Sequence, residues 1–221
     1  MLGLGAGGVL VGARIQDAVA RALRPLTLRD RTGLSGLLPG AGRFRIYSVT
    51  GQLPSESSSE YRLKVGGLVD HPSTLTLPQL KGLPVTHLTK DFQCVTGWRV
   101  TEVKWTGVRL ADLLDHVGVK AGATHLRFTS FDGTYTESLT MAQARRDDVI
   151  VAYAMIGESV TQEHGGPVRL YVAPMYGYKS IKWLDGIEVV NHLVPGYWED
   201  LGYDVDGWVG RSNGRSDPKT S

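Results

Sequence analysis

The only cysteine of the chain, Cys94, is the residue type best suited to chemistry. It lies in the segment Lys90-Asp91-Phe92-Gln93-Cys94-Val95-Thr96-Gly97-Trp98-Arg99. A lone cysteine is usually a small buried apolar residue. Here Gly97 predicts a backbone turn, and Lys90 and Arg99 favour a thiolate, which is a nucleophile or a soft metal ligand. One thiol cannot hold a metal by itself, so a metal at this position needs ligands from outside the chain.

A second region combines glycine-rich turns with positive charge. It contains His164-Gly165-Gly166-Pro167-Val168-Arg169, followed by Met175-Tyr176-Gly177-Tyr178-Lys179-Ser180-Ile181-Lys182-Trp183-Leu184. Backbone N–H groups at such turns, together with Arg169, Lys179 and Lys182, suit an anionic ligand such as a phosphate. A solvated basic strand and turn explains the same composition equally well. None of the six histidines stands in a motif typical of a thiol protease.

Length and composition exclude several classes of protein. The chain has 221 residues, of which 42% are hydrophobic and 21% charged, and its net formal charge is +2. These values exclude a disordered chain, a polytopic membrane protein and a strongly basic nucleic-acid binder, so no nucleic-acid partner is expected. A single cysteine also excludes an intramolecular disulfide and a zinc site built from several cysteines.

The sequence predicts three regions. Residues 1–43 form an N-terminal region that is a membrane anchor or signal remnant plus a linker, or a frayed glycine-rich terminus. Its uncharged start, Met1–Ala13, is shorter than the about 20 residues that a bilayer requires. The amphipathic basic stretch Ile15–Leu26 predicts a helix that packs on its own domain or lies on an anionic membrane. Residues 44–210 form the main domain, and 211–221 are a flexible tail.

Strand patterns outnumber helix patterns within the main domain. This mixture, without regular alternation, predicts an α+β fold with a mixed or antiparallel sheet. The predicted helices cover 76–80, 108–117 and 140–146, with a helical turn at 199–202. The predicted strands cover 44–50, 61–69, 84–95, 99–105, 124–131, 134–139, 149–155, 168–174 and 181–190.

Five sequence blocks, in order, resemble the sulfite-oxidase-fold family of molybdopterin oxidoreductases. The resemblance runs from Phe44 to Gly210, about three-quarters of the chain. The blocks are Cys94-x-x-Gly97-Trp98, Lys104-Trp105-Thr106-Gly107-Val108-Arg109-Leu110, Tyr153-Ala154-Met155-x-Gly157, His164-Gly-Gly-Pro-Val-Arg169 and Gly177-x-Lys179-x-x-Lys182-Trp183-Leu184.

The resemblance implies a mixed-sheet molybdopterin-binding fold around one molybdenum cofactor. In this interpretation Cys94 ligates the metal, and the pterin dithiolene supplies two further sulfurs. Arg99 or Tyr135 would orient the substrate oxygen by hydrogen bonding. The expected cofactor-binding residues are Tyr47, Ser48, Cys94, Ser130, His164, Arg169, Gly177, Tyr178, Lys179 and Lys182, with the cations among them neutralising cofactor phosphate.

Within the family, the blocks resemble one branch more than the other. Classical sulfite oxidases have consecutive arginines after the ligand cysteine, whereas this chain has Trp98 followed by Arg99. Gly97-Trp98 is closer to the bacterial periplasmic branch of methionine sulfoxide reductase catalytic subunits. The resemblance therefore implies an extracytoplasmic enzyme, with the N-terminus as a candidate membrane attachment.

The expected reaction is oxygen-atom transfer at molybdenum cycling between Mo(VI) and Mo(IV). Reduction of an S-oxide or N-oxide is the preferred direction, and sulfite oxidation or dehydrogenation is the alternative. No haem-attachment motif is present in the sequence, so a separate haem-bearing membrane protein is the expected electron partner. A non-catalytic binding module that retains the fold is a further alternative.

Overall fold

A computed structural model describes residues 44–219 of the chain. The predictions for residues 1–43, including the anchor or signal remnant and the basic helix Ile15–Leu26, lie outside the described residues. Within 44–219, no helix has both the length and the apolar character needed to cross a bilayer.

Ten strands and four short α-helices make up the described part. The helices are α1 (Leu77–Lys81), α2 (Leu110–Val117), α3 (Met141–Ala144) and α4 (Tyr197–Asp200). The strands are β1 (Arg62–Gly67), β2 (Ser73–Thr76), β3 (Val85–Gln93), β4 (Arg99–Arg109), β5 (His125–Ser130), β6 (Thr136–Thr140), β7 (Val149–Met155), β8 (Glu158–Ser159), β9 (Arg169–Val172) and β10 (Leu184–Val190).

The strands form two sheets of five strands each. The first has the order β2-β1-β10-β5-β6, with a parallel β1–β10 pair and antiparallel neighbours elsewhere. The second has the order β3-β4-β7-β8, with β9 also paired to β7, and all of its pairs are antiparallel. The predicted α+β class with a mixed sheet is therefore confirmed.

Local sequence explains where the helices begin and end. The Thr76 side chain accepts a hydrogen bond from the Gln79 N–H, and the Gln79 side chain accepts one from the Thr76 N–H, which together form a capping box at the start of α1. Helix α2 ends at Gly118, whose φ of 67° favours glycine. Its apolar side chains at 110, 113, 114 and 117 are fully buried in a core to which strands of both sheets contribute side chains. Burial of each such side chain stabilises the fold by roughly 1.5–3 kcal/mol.

Two terminal segments of the described residues contact the rest of the domain. Residues 44–50 were expected to form a strand, but they pair with no described strand, and the Phe44 ring packs against Phe92 and His164. The tail beyond Gly210 was expected to be flexible, yet its described part contacts the domain. The Ser212 hydroxyl accepts a hydrogen bond from the Trp208 N–H, and Asp217 accepts one from the Tyr176 hydroxyl.

Candidate functional site

A cleft of about 470 Å³ brings together most of the predicted site residues. Its volume lies in the range of roughly 300–1,000 Å³ that is usual for ligand and cofactor sites. Parts of the chain far apart in sequence line it, including residues 44–49, the segment around Cys94, and the segment 177–183. The predicted residues among its lining are Tyr47, Ser48, Cys94, Tyr135, His164, Arg169, Gly177, Tyr178 and Lys182.

Cys94 lies in a tight turn that joins β3 and β4. Its backbone N–H donates to the Trp98 carbonyl at 2.9 Å, and the Gly97 N–H donates to the Cys94 carbonyl at 2.9 Å. Gly97 has a φ of 100°, a conformation that glycine adopts without strain. The Thr96 hydroxyl lies 3.2 Å from Cys94 Sγ and donates to it. The turn therefore presents a half-buried thiol to the cleft.

Arg99 does not line the cleft, because its guanidinium is bound to Asp91 below the turn. Arg99 Nε donates to Asp91 Oδ2 at 2.8 Å, and the Glu102 N–H donates to Asp91 Oδ1 at 2.7 Å. Asp91 is only 2% exposed, so this pair clamps the base of the β3–β4 hairpin. The prediction that Arg99 orients the substrate oxygen is corrected by this geometry, and Arg99 instead supports the turn that carries Cys94.

Stacked aromatic rings form the floor beside Cys94. The Trp98 and Phe92 rings stack with centroids 5.6 Å apart, and Phe44 lies 5.4 Å from Phe92. A Cβ at Gly177 would collide with the Phe92 ring, so glycine is required where the 3-10 helix Gly177–Lys179 crosses this floor. The resemblance-based assignment of Gly177 thus has a packing reason as well as a place in the cleft.

The other side of the cleft is basic. Arg169 is 3% exposed and donates to the carbonyls of His164 (2.6 Å) and Ser180 (2.8 Å). Burial lowers the pKa of Arg169 to about 10, so it remains a cation at neutral pH. Burial, with the nearby charge of Arg169, lowers the pKa of His164 to about 4, which leaves its imidazole neutral. Lys182 donates to the Tyr47 carbonyl at 2.5 Å and to the Glu163 carbonyl at 3.3 Å.

The charge of Lys182 makes the stability of the cofactor-free protein depend on pH. Burial, followed by the charge of Arg169, lowers the pKa of Lys182 from 10.5 to about 7. Between these values the unfolded chain binds more protons than the folded one, so stability rises with pH. We expect the free energy of unfolding to increase by about 1–2 kcal/mol from pH 7 to pH 9 through this residue. Urea titrations at several pH values should show a weaker dependence of the free energy of unfolding on pH in Lys182→Met than in wild type. The same pH dependence in both proteins would contradict this prediction.

Tyr135 and Ser130 occupy different positions relative to the cleft. Tyr135 lines it, but its hydroxyl donates to the Tyr178 carbonyl at 2.6 Å. Burial, then the charges of Glu137 and Glu199, raise the pKa of Tyr135 well above 10, so this donor keeps its proton. Ser130 is 4% exposed and outside the lining, because its hydroxyl accepts the Asp132 N–H at 3.2 Å. The predicted cofactor contact of Ser130 is therefore not supported.

Lys179 points away from the cleft. Its side chain is fully buried, and Nζ donates to the carboxylates of Glu137 and Glu199. The prediction that Lys179 neutralises cofactor phosphate is corrected, since both of these acidic partners already surround the ammonium inside the protein.

Sequence reasoning missed Asp132 and part of a second group of lining residues. Asp132 lies between the two strands predicted at 124–131 and 134–139, and it lines the cleft in the turn that joins β5 and β6. The second group forms what we call the aromatic wall, in which rings pack at centroid distances of 5.0–5.9 Å. The aromatic wall consists of Tyr135, Tyr178, Tyr197, Trp198 and Tyr203. The sequence assigned Tyr135 and Tyr178 to the site, whereas Tyr197, Trp198 and Tyr203 stand in no motif and gave no signal.

Comparison with known proteins identifies the family. The family model for the oxidoreductase molybdopterin-binding domain matches residues 50–198. The chain belongs to this family. It is 37% identical to an uncharacterised oxidoreductase, YuiH, of Bacillus subtilis over 72% of this chain and 80% of that relative. It is 31% identical to the sulfite oxidase of Arabidopsis thaliana, over 66% of this chain and 46% of the relative.

Two further similarities support this molybdopterin-binding oxidoreductase assignment. A putative protein-methionine-sulfoxide reductase subunit of Azospira oryzae is 31% identical over 76% of this chain and 63% of its own length. The crystal structure of the sulfane dehydrogenase SoxCD from Paracoccus pantotrophus matches with a TM-score of 0.58 and 26% identity, covering 64% of this chain and 41% of that one. The predicted sulfite-oxidase-type fold is confirmed, and the chain spans about half the length of several relatives.

The donor groups in the cleft fit a molybdenum–pterin cofactor. Asp132 Oδ2 is buried and has no hydrogen-bond partner among residues 44–219, although Oδ1 accepts the N–H groups of Thr134 and Tyr135. The indole N–H of Trp98 is likewise without a partner in the described part of the chain. A bound molecule with polar groups would satisfy such atoms, which are costly when buried alone. Together with one soft thiol and two cations, they match a dithiolene–pterin–phosphate ligand.

Proposed function

We propose that this protein is a molybdenum-cofactor oxidoreductase that reduces an S-oxide by oxygen-atom transfer, with Cys94 as the protein ligand of the metal. The observation that carries the proposal is the single cleft of about 470 Å³ that unites the Cys94 thiol, the buried cations and the aromatic wall. The family assignment supports the cofactor, and the similarity to a methionine-sulfoxide reductase subunit supports the substrate class.

Each end of the cleft would hold a different part of the cofactor. The Cys94 thiolate would bind molybdenum, because soft sulfur ligands suit this kind of site. Arg169 and Lys182 would bind the phosphate, and Asp132 Oδ2 would accept a hydrogen bond from an N–H group of the pterin. When bound, the cofactor supplies the two-electron oxygen-atom transfer that no side chain can carry out.

The residues around the thiol shape the choice of substrate. Sulfite is an anion, and the first cation after Cys94 in the sequence, Arg99, is bound to Asp91 rather than exposed in the cleft. Lys179 is likewise committed to two buried glutamates. The aromatic wall offers ring edges and faces to a substrate, and sulfur–aromatic contacts are favourable. These features support an uncharged or zwitterionic S-oxide over sulfite.

The electron donor and the cellular location are proposed from the relatives rather than from the geometry of the cleft. The Azospira relative is named as a putative reductase subunit, and this name supports a separate partner for the present chain. We propose that a separate, haem-bearing membrane protein reduces this enzyme. We also propose an extracytoplasmic location, which agrees with the resemblance to the periplasmic branch.

The proposal is tested by purifying the full chain from a host that makes molybdopterin. Molybdenum and pterin should each be present at about one per chain. With a reduced viologen dye as electron donor, methyl phenyl sulfoxide and methionine sulfoxide should be consumed. Molybdenum with sulfite-dependent dye reduction alone would reverse the direction and favour the sulfite oxidase alternative. Folded protein without molybdenum or pterin would leave only a binding module.

A further inference from the structure

A buried ion cluster of Lys179, Glu137 and Glu199 lies behind the aromatic wall. Lys179 Nζ donates to Glu137 Oε1 at 2.5 Å and also to Glu199 Oε1. The side chains are 0–1% exposed. Burial raises the pKa of Glu137 well above 4.5. Burial acts in the same direction on Glu199, but a hydrogen bond from Glu137 and the charge of Lys179 lower its pKa overall. Burial thus favours the protonated form of Glu137, whereas the contacts of Glu199 favour its carboxylate.

Every member of the cluster is close in sequence to a residue of the aromatic wall. Glu137 follows Tyr135 by two positions, Lys179 follows Tyr178 directly, and Glu199 follows Trp198 directly. They come from β6, the 3-10 helix and α4, three elements that are far apart in the chain. One ammonium therefore ties together the three backbone segments that carry four of the five wall residues.

Further contacts hold two of these segments, α4 and β6, against each other. Glu199 Oε2 accepts the Gly196 N–H at 2.7 Å and the Ser138 hydroxyl at 3.1 Å, which fixes α4 against β6. A Cβ at Gly196 would lie 2.8 Å from the Glu137 Cα, so only glycine permits this close approach. On the cleft side, the Tyr135 and Tyr197 rings stack with centroids 5.9 Å apart. The ion cluster and the ring stack therefore both join α4 to the segment that contains Tyr135 and β6.

The energetics favour a geometric role for this cluster. Taking three ionisable groups out of water is costly, and well-packed apolar residues often stabilise a core as well or better. A fully satisfied polar network, in contrast, imposes one arrangement on the elements that it joins. We infer that the Lys179–Glu137–Glu199 cluster is a positioning device that fixes the aromatic wall and thereby sets the affinity for bulky S-oxides. This inference rests on the proposed function for its substrate.

The test compares full-length proteins purified with cofactor. The double variant Lys179→Met/Glu199→Gln removes both charges together, so no unpaired charge stays buried. Arg145→Met/Asp115→Asn removes an exposed ion pair and is the matched control. Glu137→Gln is the conservative variant, because its amide can still donate to Glu199. Hydrogen exchange of residues 197–200 and the KM values for methyl phenyl sulfoxide and dimethyl sulfoxide are measured for each protein.

In the double variant, exchange at residues 197–200 should become at least about tenfold faster, because the segment loses its ion-pair anchor. KM for methyl phenyl sulfoxide should rise about tenfold, since small misplacements of substrate-contacting groups are costly. KM for dimethyl sulfoxide, which is too small to need the whole wall, should change less than about threefold. The control and Glu137→Gln should both stay near wild type.

The outcomes separate the inference from the proposed function. Unchanged exchange in the double variant would overturn the positioning role even if the enzyme reduces sulfoxides normally. Equal changes in KM for both sulfoxides would overturn the link to bulky substrates. If wild-type protein holds molybdenum but reduces no sulfoxide, the proposed function fails, and the exchange rates still decide whether the cluster fixes the wall.

Discussion

Replacing Cys94 with serine is expected to abolish turnover while leaving the fold intact. Loss of a group that merely supports a metal ligand costs about 10–100-fold, and loss of the ligand itself should exceed this. Serine offers a hard oxygen that stays protonated at neutral pH, so it is a poor replacement for a soft thiolate. The turn is held by backbone bonds from Cys94 and Gly97, which the substitution leaves in place. Turnover, molybdenum content and thermal stability are the measurements.

A control in the same turn makes this result specific to the thiol. Thr96→Ser keeps a hydroxyl next to residue 94 and should retain molybdenum and most of the activity. The melting temperature of Cys94→Ser should lie within a few degrees of wild type, because the substitution removes neither a buried ion pair nor a large core side chain. Turnover like that of wild type in Cys94→Ser would remove the basis for assigning Cys94 as the metal ligand.

Local patterns made the fold and the turn at Cys94 predictable. The strand pair on either side of Gly97, the capped helix α1 and the hairpin of β5 and β6 all follow from short-range signals. Phe44–Thr50 has an equally good strand pattern, but a strand needs a partner, and the Phe44 ring packs into the aromatic floor instead. Pairing of this kind depends on the whole fold and leaves no trace in a window of seven residues.

Some of the charged residues that were predicted to bind the cofactor line the cleft, and others do not. Sequence shows that Arg99 and Lys179 are cations near important residues, but it does not show their partners. Lys179 meets Glu137, which is 42 positions away, and Glu199, which is 20 positions away. Asp132 was missed because the sequence does not show that one of its carboxylate oxygens is buried without a hydrogen-bond partner among residues 44–219.

The single substitution Lys179→Met is expected to destabilise the protein by about 3–5 kcal/mol, the usual cost of breaking a buried ion pair from one side. The variant leaves the Glu199 carboxylate buried without its cation. Unfolding by urea at pH 8 measures the loss. Arg145→Met is the matched control, since its partner Asp115 is exposed and such pairs contribute about 1 kcal/mol or less.

The direction of the pH dependence and a second substitution distinguish lost charge balance from lost packing. Without Lys179, the folded-state pKa of Glu199 would lie above its unfolded value, so the folded chain would bind a proton more tightly and gain stability as pH falls. The deficit of Lys179→Met should therefore shrink between pH 8 and pH 5. Adding Glu199→Gln should recover most of the loss at pH 8, because the buried charge is then gone. A double variant as unstable as the single one at both pH values would mean that packing of the lysine stem against Gly207, rather than charge, holds this junction together.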